Sequence, residues 1–134
     1  MFAVNRTRGT FLGVDIKRAD RLGARLLGLY RHRNLSLGDG VWLVPCNNIQ
    51  TIGMKYSIDV VFLDAEYRVV RVCAHVKPGR IIWWVPDAHS AVEVPVGAVE
   101  SSETRVGDRI EFAESLPEGF APASARRKSP AMPT

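Results

Sequence analysis

The segment Ser57–Asp64 (SIDVVFLD) constrains the fold more than any other part of the chain. Successive side chains along a strand point to opposite faces, and here both sets are apolar except at Asp59. A strand that is apolar on both faces is covered by other layers on both sides. We therefore predict a central strand that carries one carboxylate into an interior where an unpaired charge is costly.

Six further apolar segments, separated by Gly and Pro turns, are predicted to be strands. Ala65-Glu66 connects the central strand to its hairpin partner, and Val96–Thr104 is compatible with a short helical turn. The six segments are Thr10–Ile16, Val41–Val44, Tyr67–His75, Arg80–Val85, Ser90–Val94 and Ile110–Phe112.

An amphipathic helix is predicted near residues 20–31. Leu22, Leu26 and Leu29 recur at helical spacing after Asp20, which is a suitable N-cap. No crossover helix separates the later strands, which argues against a parallel sheet. The predicted fold is therefore mainly β (α+β): a compact antiparallel β-sandwich or partly closed barrel of about seven short strands, with this helix as a cover.

The charge of the chain argues against a nucleic-acid partner. The formal net charge is +4, and the basic residues 126–128 contribute part of it, so little positive charge remains for phosphate contacts. Arg18, Arg21 and Arg25 lie on the polar side of the predicted helix. We interpret them as a solvated face, with an anion-binding face as the alternative.

Length and composition predict one domain, over residues 10–113. Residues 1–9 are polar and predicted to be loose, and residues 114–134 form a Pro/Ala/Arg tail that is predicted to be disordered. No long apolar run and no signal-like segment is present, so we predict a cytoplasmic protein without a membrane partner. In a reducing compartment, Cys46 and Cys73 are predicted to be free thiols.

Two carboxylates interrupt apolar strands and need partners. We interpret Asp59 as an acceptor of backbone N–H groups that orders the loop over residues 45–54, with a functional carboxylate as the alternative. Glu93 is expected to pair with an arginine such as Arg25 or Arg80. An acid/base pair of Asp59 and Glu93 is the other hypothesis, and it requires the two carboxylates to lie within a few ångströms.

The cysteines and histidines give no clear catalytic or metal motif. A nucleophilic Cys46 would need a base, and none of His32, His75 and His89 lies in a recognisable motif. Cys73 and His75 share one strand face and could form a three-ligand metal site with Cys46. A zinc site, however, usually shows paired cysteine spacings. We therefore predict no metal and no cofactor, and assign no catalytic residue.

Trp83-Trp84 is an unusual pair within a predicted strand. Adjacent strand residues face opposite sides, so one indole is expected in the core and the other against solvent, a ligand or a partner. An exposed indole beside a polar loop suits stacking on a sugar or base ring. Trp42 is expected to join one of the two aromatic clusters.

Several short motifs occur in a defined order. They are Arg25-Leu26-Leu27-Gly28-Leu29, Pro45-Cys46, Thr51-Ile52-Gly53-Met54, Ile58–Asp64, Val69-Val70, Pro78, Val92-Glu93-Val94, Gly97 and Gly107-Asp108. In this order they resemble the bacterial and archaeal family called domain of unknown function 192, over roughly residues 10–112. The resemblance implies a compact, mainly β fold and brings no established activity. Ile49-Gln50 stands where the similar subgroup often has Ile-His, so no histidine-based mechanism is carried over.

Two functions are compared for this chain, which we expect to be a conserved bacterial protein. The first is a small non-enzymatic binding or accessory module for a small molecule or protein, with its site beside residues 45–54. The alternative is a small hydrolase or isomerase-like enzyme that uses the two interior carboxylates. The residues predicted to form or organise the pocket are Cys46, Thr51, Met54, Asp59 and Glu93.

Overall fold

The computed structural model describes residues 1–20 and 35–117 of the chain. These residues form ten strands and one short helix. The elements are β1 (Phe2–Asn5), β2 (Thr10–Gly13), β3 (Asp15–Ala19), β4 (Asp39–Leu43), β5 (Ile49–Gln50), β6 (Ile58–Leu63), β7 (Val69–Val76), β8 (Ile81–Ile82), β9 (Ser90–Pro95), α1 (Ala98–Ser102) and β10 (Ile110–Ala113).

The main sheet has five strands in the order β3-β4-β9-β6-β7. All six residues of β6 are buried, and β9 and β7 flank it, so the predicted central strand is confirmed. Neighbouring strands are antiparallel except β3 and β4, which run parallel with Asp15 opposite Asp39. The connection over residues 20–38 is long enough for a parallel crossover, and the prediction of purely antiparallel pairing is wrong at this edge.

A second sheet has three strands in the order β10-β1-β2, and β5 pairs with β8 in a third. The prediction that residues 1–9 are loose is wrong for Phe2–Asn5, because β1 is hydrogen-bonded on both sides. Ala3, Val4 and Asn5 are fully buried. The predicted strand Thr10–Ile16 is in fact parts of two strands, β2 and β3.

Apolar clusters cover both faces of the main sheet. One includes Trp42, Val61, Leu63, Val92, Val94 and Ile110, and the other includes Val41, Leu43, Ile58, Val60, Phe62 and Ala91. The described residues form several sheets with one short helix and no closed barrel, so the predicted β-rich α+β class is confirmed. The predicted helix near residues 20–31 falls almost wholly outside the described residues.

The prediction for Trp83-Trp84 is wrong. β8 ends at Ile82, so the alternation of a strand does not apply to the next two residues. Trp83 is 75% exposed and Trp84 is 69% exposed, whereas Trp42 on β4 is buried. The two adjacent indoles therefore lie on the surface.

Gly40 lies where β3, β4 and β9 approach closely. A Cβ at this position would lie 2.7 Å from the Glu93 carbonyl oxygen and 2.6 Å from Ile16 Cδ1. Because the Glu93 oxygen belongs to the sheet backbone, it cannot move aside without disturbing the strand pairing. We expect Gly40→Ala to lower the free energy of unfolding by about 2 kcal/mol, measured by urea denaturation. Ser115→Ala, at an exposed position, is the control, and equal stability of the two variants would contradict the expectation.

Candidate functional site

Asp59 is buried, and both of its carboxylate oxygens accept backbone hydrogen bonds. Oδ1 accepts from His75 N at 2.8 Å, and Oδ2 accepts from Gly97 N and Val99 N at 3.1 Å each. The bonds are of the predicted kind, but they hold β7 and the start of α1 rather than residues 45–54. The carboxylate therefore joins β7 and the start of α1 to β6.

Thr51 fixes the loop over residues 45–54 instead. Its hydroxyl donates to the Lys77 carbonyl oxygen at 2.7 Å and accepts from Arg80 N at 2.9 Å. Thr51 N also donates to the Arg80 carbonyl oxygen at 2.8 Å. Met54 is buried in the core cluster nearby. Thr51 thus connects the loop to the turn over residues 77–80, and Met54 contributes to the core.

Glu93 and Asp59 point to opposite faces of the main sheet. Asp59 pairs with Val94 in the β6–β9 register, and Glu93 pairs with Val60. Side chains at adjacent register positions alternate, so the two carboxylates do not form the acid/base pair of the enzyme hypothesis. Tyr56 packs against the cluster that contains Val60, the register partner of Glu93, so Tyr56 and Glu93 lie on one side of the sheet. Burial raises the pKa of the Tyr56 phenol, and the Glu93 charge raises it further.

Neither of the two arginines expected to pair with Glu93, Arg25 and Arg80, is seen in an ion pair with it in the described part of the chain. Arg25 lies outside the described residues. Arg80 is exposed, and its backbone N–H bonds to Thr51, while Glu93 is fully buried. Within residues 1–20 and 35–117, Arg80 and Glu93 do not form an ion pair with each other.

Cys46 is buried, and its thiol donates to the Asn48 carbonyl oxygen at 3.1 Å. It lines an open depression of about 380 Å³ together with residues 45–48 and 88–89. Thr51, Met54, Asp59 and Glu93 do not line this depression, so the five predicted residues are not brought together in one pocket.

The chain's two cysteines are free in the structure. Burial raises the pKa of the Cys73 thiol, although Arg71 acts in the opposite direction. A raised pKa leaves less thiolate at neutral pH and makes the thiol a weaker nucleophile. Among the described residues, no group of three or more His, Cys, Asp or Glu side chains is placed to hold a metal ion.

A larger cleft, of about 510 Å³, lies at the edge of the core cluster that contains Trp42 and Ile110. It is built around an aromatic stack. Trp42 from β4 lies against Phe112 from β10, with ring centroids 3.8 Å apart and an interplanar angle of 10°. Tyr67 meets the edge of this stack, with centroids 5.9 Å from Trp42 and 6.1 Å from Phe112. Three aromatic rings, together with Met1 and Ile110, therefore form the apolar part of the lining.

Asp64, the last residue of the central motif, holds the turn that carries Tyr67. Its Oδ1 accepts from Glu66 N and Arg68 N at 2.9 Å each, which is a typical Asx-type turn contact. Tyr67 adopts a φ of 65°, and its carbonyl oxygen accepts from Ile110 N at 2.9 Å. The β6–β7 turn is thereby fixed against β10, and Tyr67 is presented at the cleft.

Three arginines complete the cleft. Arg18 on β3 places its guanidinium carbon 5.2 Å from the centre of the Trp42 ring. Arg6 lies 3.7 Å from the Glu111 carboxylate, which is the one acidic side chain in the described lining. Arg18 and Arg109 form no ion pair with other described residues. The cleft therefore has a net positive charge.

Most of this cleft could not be found from the sequence. Its lining comes from the residues on either side of β1, from β3 and β4, from the β6–β7 turn and from β10, which are far apart along the chain. The one available signal was Arg18, which had anion binding as an alternative interpretation but was assigned to a helix rather than to β3. Trp42, which lines the cleft, has its indole Nε1 buried without a hydrogen-bond partner in the described part of the chain.

Comparison with known proteins identifies similar sequences. The model of the family DUF192, described as an uncharacterised ACR, matches residues 3–112. A UPF0127 protein of Pyrococcus furiosus is 31% identical over 117 residues, covering 81% of this chain and 96% of the relative. A UPF0127 protein of Pyrococcus horikoshii is 32% identical with the same coverage. These relatives are archaeal, so they do not support the expected bacterial source.

A solved structure has a similar fold. A protein of unknown function from Novosphingobium aromaticivorans aligns with a TM-score of 0.67 at 14% identity, covering 84% of each chain. At this identity the likeness concerns the fold. Within residues 1–20 and 35–117, no helix is long and apolar enough to cross a membrane.

Proposed function

The chain belongs to the DUF192 family, and from this starting point we propose that it is a binding module for small anionic molecules that carry an apolar or planar group. The observation that carries the proposal is the cleft in which Arg18 and Arg109 lie beside the stack of Trp42 and Phe112. We call it the arginine–aromatic cleft.

The chemistry of the lining supports this ligand class. Guanidinium groups bind carboxylates and phosphates through paired hydrogen bonds, and Arg18 and Arg109 have no competing carboxylate among the described residues. Tyr67 and Phe112 offer an apolar surface to the rest of a ligand. A volume of about 510 Å³ lies within the usual range of small-molecule sites.

Binding without catalysis is supported by the placement of the carboxylates. The enzyme hypothesis needs Asp59 and Glu93 to act together, and they face opposite sides of the main sheet. Glu111, the carboxylate of the arginine–aromatic cleft, already has a guanidinium beside it in Arg6. The site predicted from the sequence lies beside residues 45–54, and the depression lined by residues 45–48 is therefore the second candidate location for a ligand.

Titration calorimetry with three matched probes tests the proposal. We expect phenyl phosphate and benzoate to bind the wild-type protein, and benzyl alcohol, which has the ring without the charge, to bind at least tenfold more weakly. The double variant Arg18→Gln/Arg109→Gln should weaken phenyl phosphate binding at least tenfold, because it removes both unpaired guanidinium groups. That change corresponds to about 1.4 kcal/mol of binding free energy.

Two further variants make the result specific. Lys77→Gln/Arg80→Gln removes the same charge outside the cleft and should leave phenyl phosphate binding within twofold of wild type. Asn47→Ala/His89→Ala alters the depression beside residues 45–48. If this last variant lost binding while the cleft variant kept it, the cleft would be the wrong site. Equal binding of all three probes would contradict the proposed ligand class.

A further inference from the structure

The segment that follows β8 carries two tryptophans opposite a single asparagine. Two backbone links flank this segment: the pair Ile49–Ile82 in the β5–β8 register, and a hydrogen bond of 2.8 Å from Val85 N to the Asn47 carbonyl oxygen. Between the two links, Trp83 and Trp84 stand opposite Asn48 alone. Two residues against one is the count of a β-bulge, which re-aims side chains where regular pairing ends.

Both indoles are exposed, although the next residue, Val85, is buried. In a regular strand, one of two adjacent side chains would turn toward the core. The extra residue removes that constraint, so Trp83 and Trp84 can both remain outside. The chain therefore holds two flat apolar rings at the surface, on the strand extension that faces Asn47 and Asn48.

The two asparagines that face this extension, Asn47 and Asn48, also line the depression of about 380 Å³. Its other described lining residues are Pro45, Cys46, Ala88 and His89. Cys46 N donates to the His89 carbonyl oxygen at 2.8 Å, which ties the two sides of the depression together. The turn over residues 85–88 brings the chain from the indoles back to His89. The depression and the indoles are therefore neighbours.

The side chains of the depression offer neutral hydrogen-bonding groups. Asn48 Nδ2 donates to Asn47 Oδ1 at 2.8 Å, which fixes the two amides relative to each other. Among the described residues, Asn47 Nδ2 and the His89 ring nitrogens have no hydrogen-bond partner. An amide NH2 donates, and a neutral imidazole both donates and accepts, so the two side chains match hydroxyl groups. The described lining contains no Asp, Glu, Lys or Arg, so it offers no counter-charge to an ionic ligand.

We propose that the depression and the two indoles form a binding site for a neutral sugar, which we call the indole–amide site. A sugar ring has a face of C–H groups, which packs on the flat apolar surface of an indole. Its hydroxyl groups would bond to Asn47 and His89. A few placed polar groups beside an apolar surface are the usual composition of a small-molecule site. A nucleotide fits less well, because the described lining has no basic side chain for a phosphate.

The indole–amide site is independent of the arginine–aromatic cleft, since the two share no described lining residue. The charge of the ligand also separates them. Added salt should weaken phenyl phosphate binding at the cleft, whereas binding of a neutral sugar should stay within twofold of its low-salt value. Either site can therefore fail its test without affecting the other.

Titration calorimetry of the full chain with neutral trisaccharides is the first test. The probes are maltotriose, cellotriose, mannotriose and tri-N-acetylchitotriose, and we expect at least one to bind with a dissociation constant of about 1 mM or below. Trp83→Ala/Trp84→Ala should weaken binding of that sugar at least tenfold, because it removes the stacking surface. Asn47→Ala/His89→Ala should have an effect of the same size, because it removes the groups that meet the hydroxyls.

Ile52→Ala is the matched control for the tryptophan variant. Ile52 is also a large exposed apolar side chain, but it follows Gln50 at the opposite end of the β5–β8 sheet. This variant should bind the trisaccharide within twofold of wild type. The exposed tryptophans and His89 are not part of the core, so the variants should keep the fold, which a thermal melt of each checks.

Tryptophan emission gives a second readout on the wild-type protein. The other tryptophan, Trp42, is buried, so a ligand at the indole–amide site acts mainly on Trp83 and Trp84. The bound trisaccharide should shift the emission to shorter wavelength and reduce quenching by acrylamide, because a stacked indole is withdrawn from water. In Trp83→Ala/Trp84→Ala, the same sugar should cause neither change.

Three outcomes would overturn the proposal. The first is that none of the four trisaccharides binds wild-type protein at about 10 mM. The second is that a folded tryptophan or Asn47→Ala/His89→Ala variant binds the trisaccharide as well as wild type. The third is that adenosine binds more tightly than every trisaccharide, because the site would then recognise a nucleobase.

Discussion

Asp59→Asn should lower the free energy of unfolding by about 2–4 kcal/mol, although it changes one atom of a buried side chain. The wild-type carboxylate presents only acceptors, and it meets N–H groups from His75 on one side and from Gly97 and Val99 on the other. An amide has one acceptor oxygen and one NH2 group. In either orientation, the NH2 group faces at least one backbone N–H and leaves that donor unpaired.

Urea denaturation measures the loss, and Asp87→Asn is the matched control. Asp87 is exposed and has a φ of 66°, which asparagine tolerates, so this variant removes the same charge at little cost. Amide hydrogen exchange adds a local test. We expect faster exchange at His75, Gly97 and Val99 in Asp59→Asn, with the sheet otherwise protected.

A stable Asp59→Asn variant would favour the functional interpretation of this carboxylate. If its melting curve matched that of Asp87→Asn, the three backbone contacts would not require a charge. Asp59 would then be a candidate site residue, and its role in ligand binding would need a separate measurement. The size of the stability loss therefore decides between a structural and a functional carboxylate.

The central strand could be predicted because its signal is local. The apolar pattern on both faces of residues 57–64 follows from strand geometry alone, and the need of Asp59 for hydrogen bonds follows from its place in that pattern. The identity of the donors could not be predicted, because His75 and Gly97 approach β6 through the tertiary fold. It also could not be predicted that Asp59 and Glu93 face opposite sides of the sheet, because this depends on the register of β6 against β9.

The wrong predictions have a common physical cause. Alternation was applied to Trp83 and Trp84 although the strand ends at Ile82. The polar composition of residues 1–9 suggested a loose terminus, yet β1 is paired on both sides and Asn5 is fully buried. In both cases long-range pairing, rather than local composition, decides whether a segment is a strand. The arginine–aromatic cleft depends on five elements and is beyond local reasoning for the same reason.

The turn before β10 is bonded to the end of the N-terminal strand β1 through the side chain of Asp108. Asp108 is buried, and its Oδ2 accepts from Asn5 Nδ2 at 3.0 Å, Arg8 Nε at 3.1 Å and Arg105 N at 2.9 Å. Asn5 Nδ2 also donates to Thr104 Oγ1 at 3.0 Å. One carboxylate thus connects the end of β1 to the turn before β10.

We expect Asp108→Ala to lower the free energy of unfolding by about 2–4 kcal/mol at neutral pH. The variant removes an acceptor from three donors, one of them the Arg8 guanidinium, and leaves buried N–H groups unpaired. Asp15→Ala is the control, because Asp15 is exposed and its contact with Lys17, at 3.8 Å, is also exposed. Exposed ion pairs of this kind contribute about 0–1 kcal/mol.

The pH dependence of this difference provides the decisive measurement. Burial raises the pKa of Asp108, but the hydrogen bonds from Arg8, Asn5 and Arg105 N outweigh it, and the pKa lies below its ordinary value. A carboxyl with a lowered folded pKa contributes stability that is fully present above the unfolded pKa and is lost as the pH falls through the folded pKa. The stability gap between wild type and Asp108→Ala should therefore be constant from about pH 7 to about pH 5 and shrink below about pH 4. Urea denaturation across that range measures it, and a gap that widens in acid would show that the carboxylate does not stabilise the turn in its charged form.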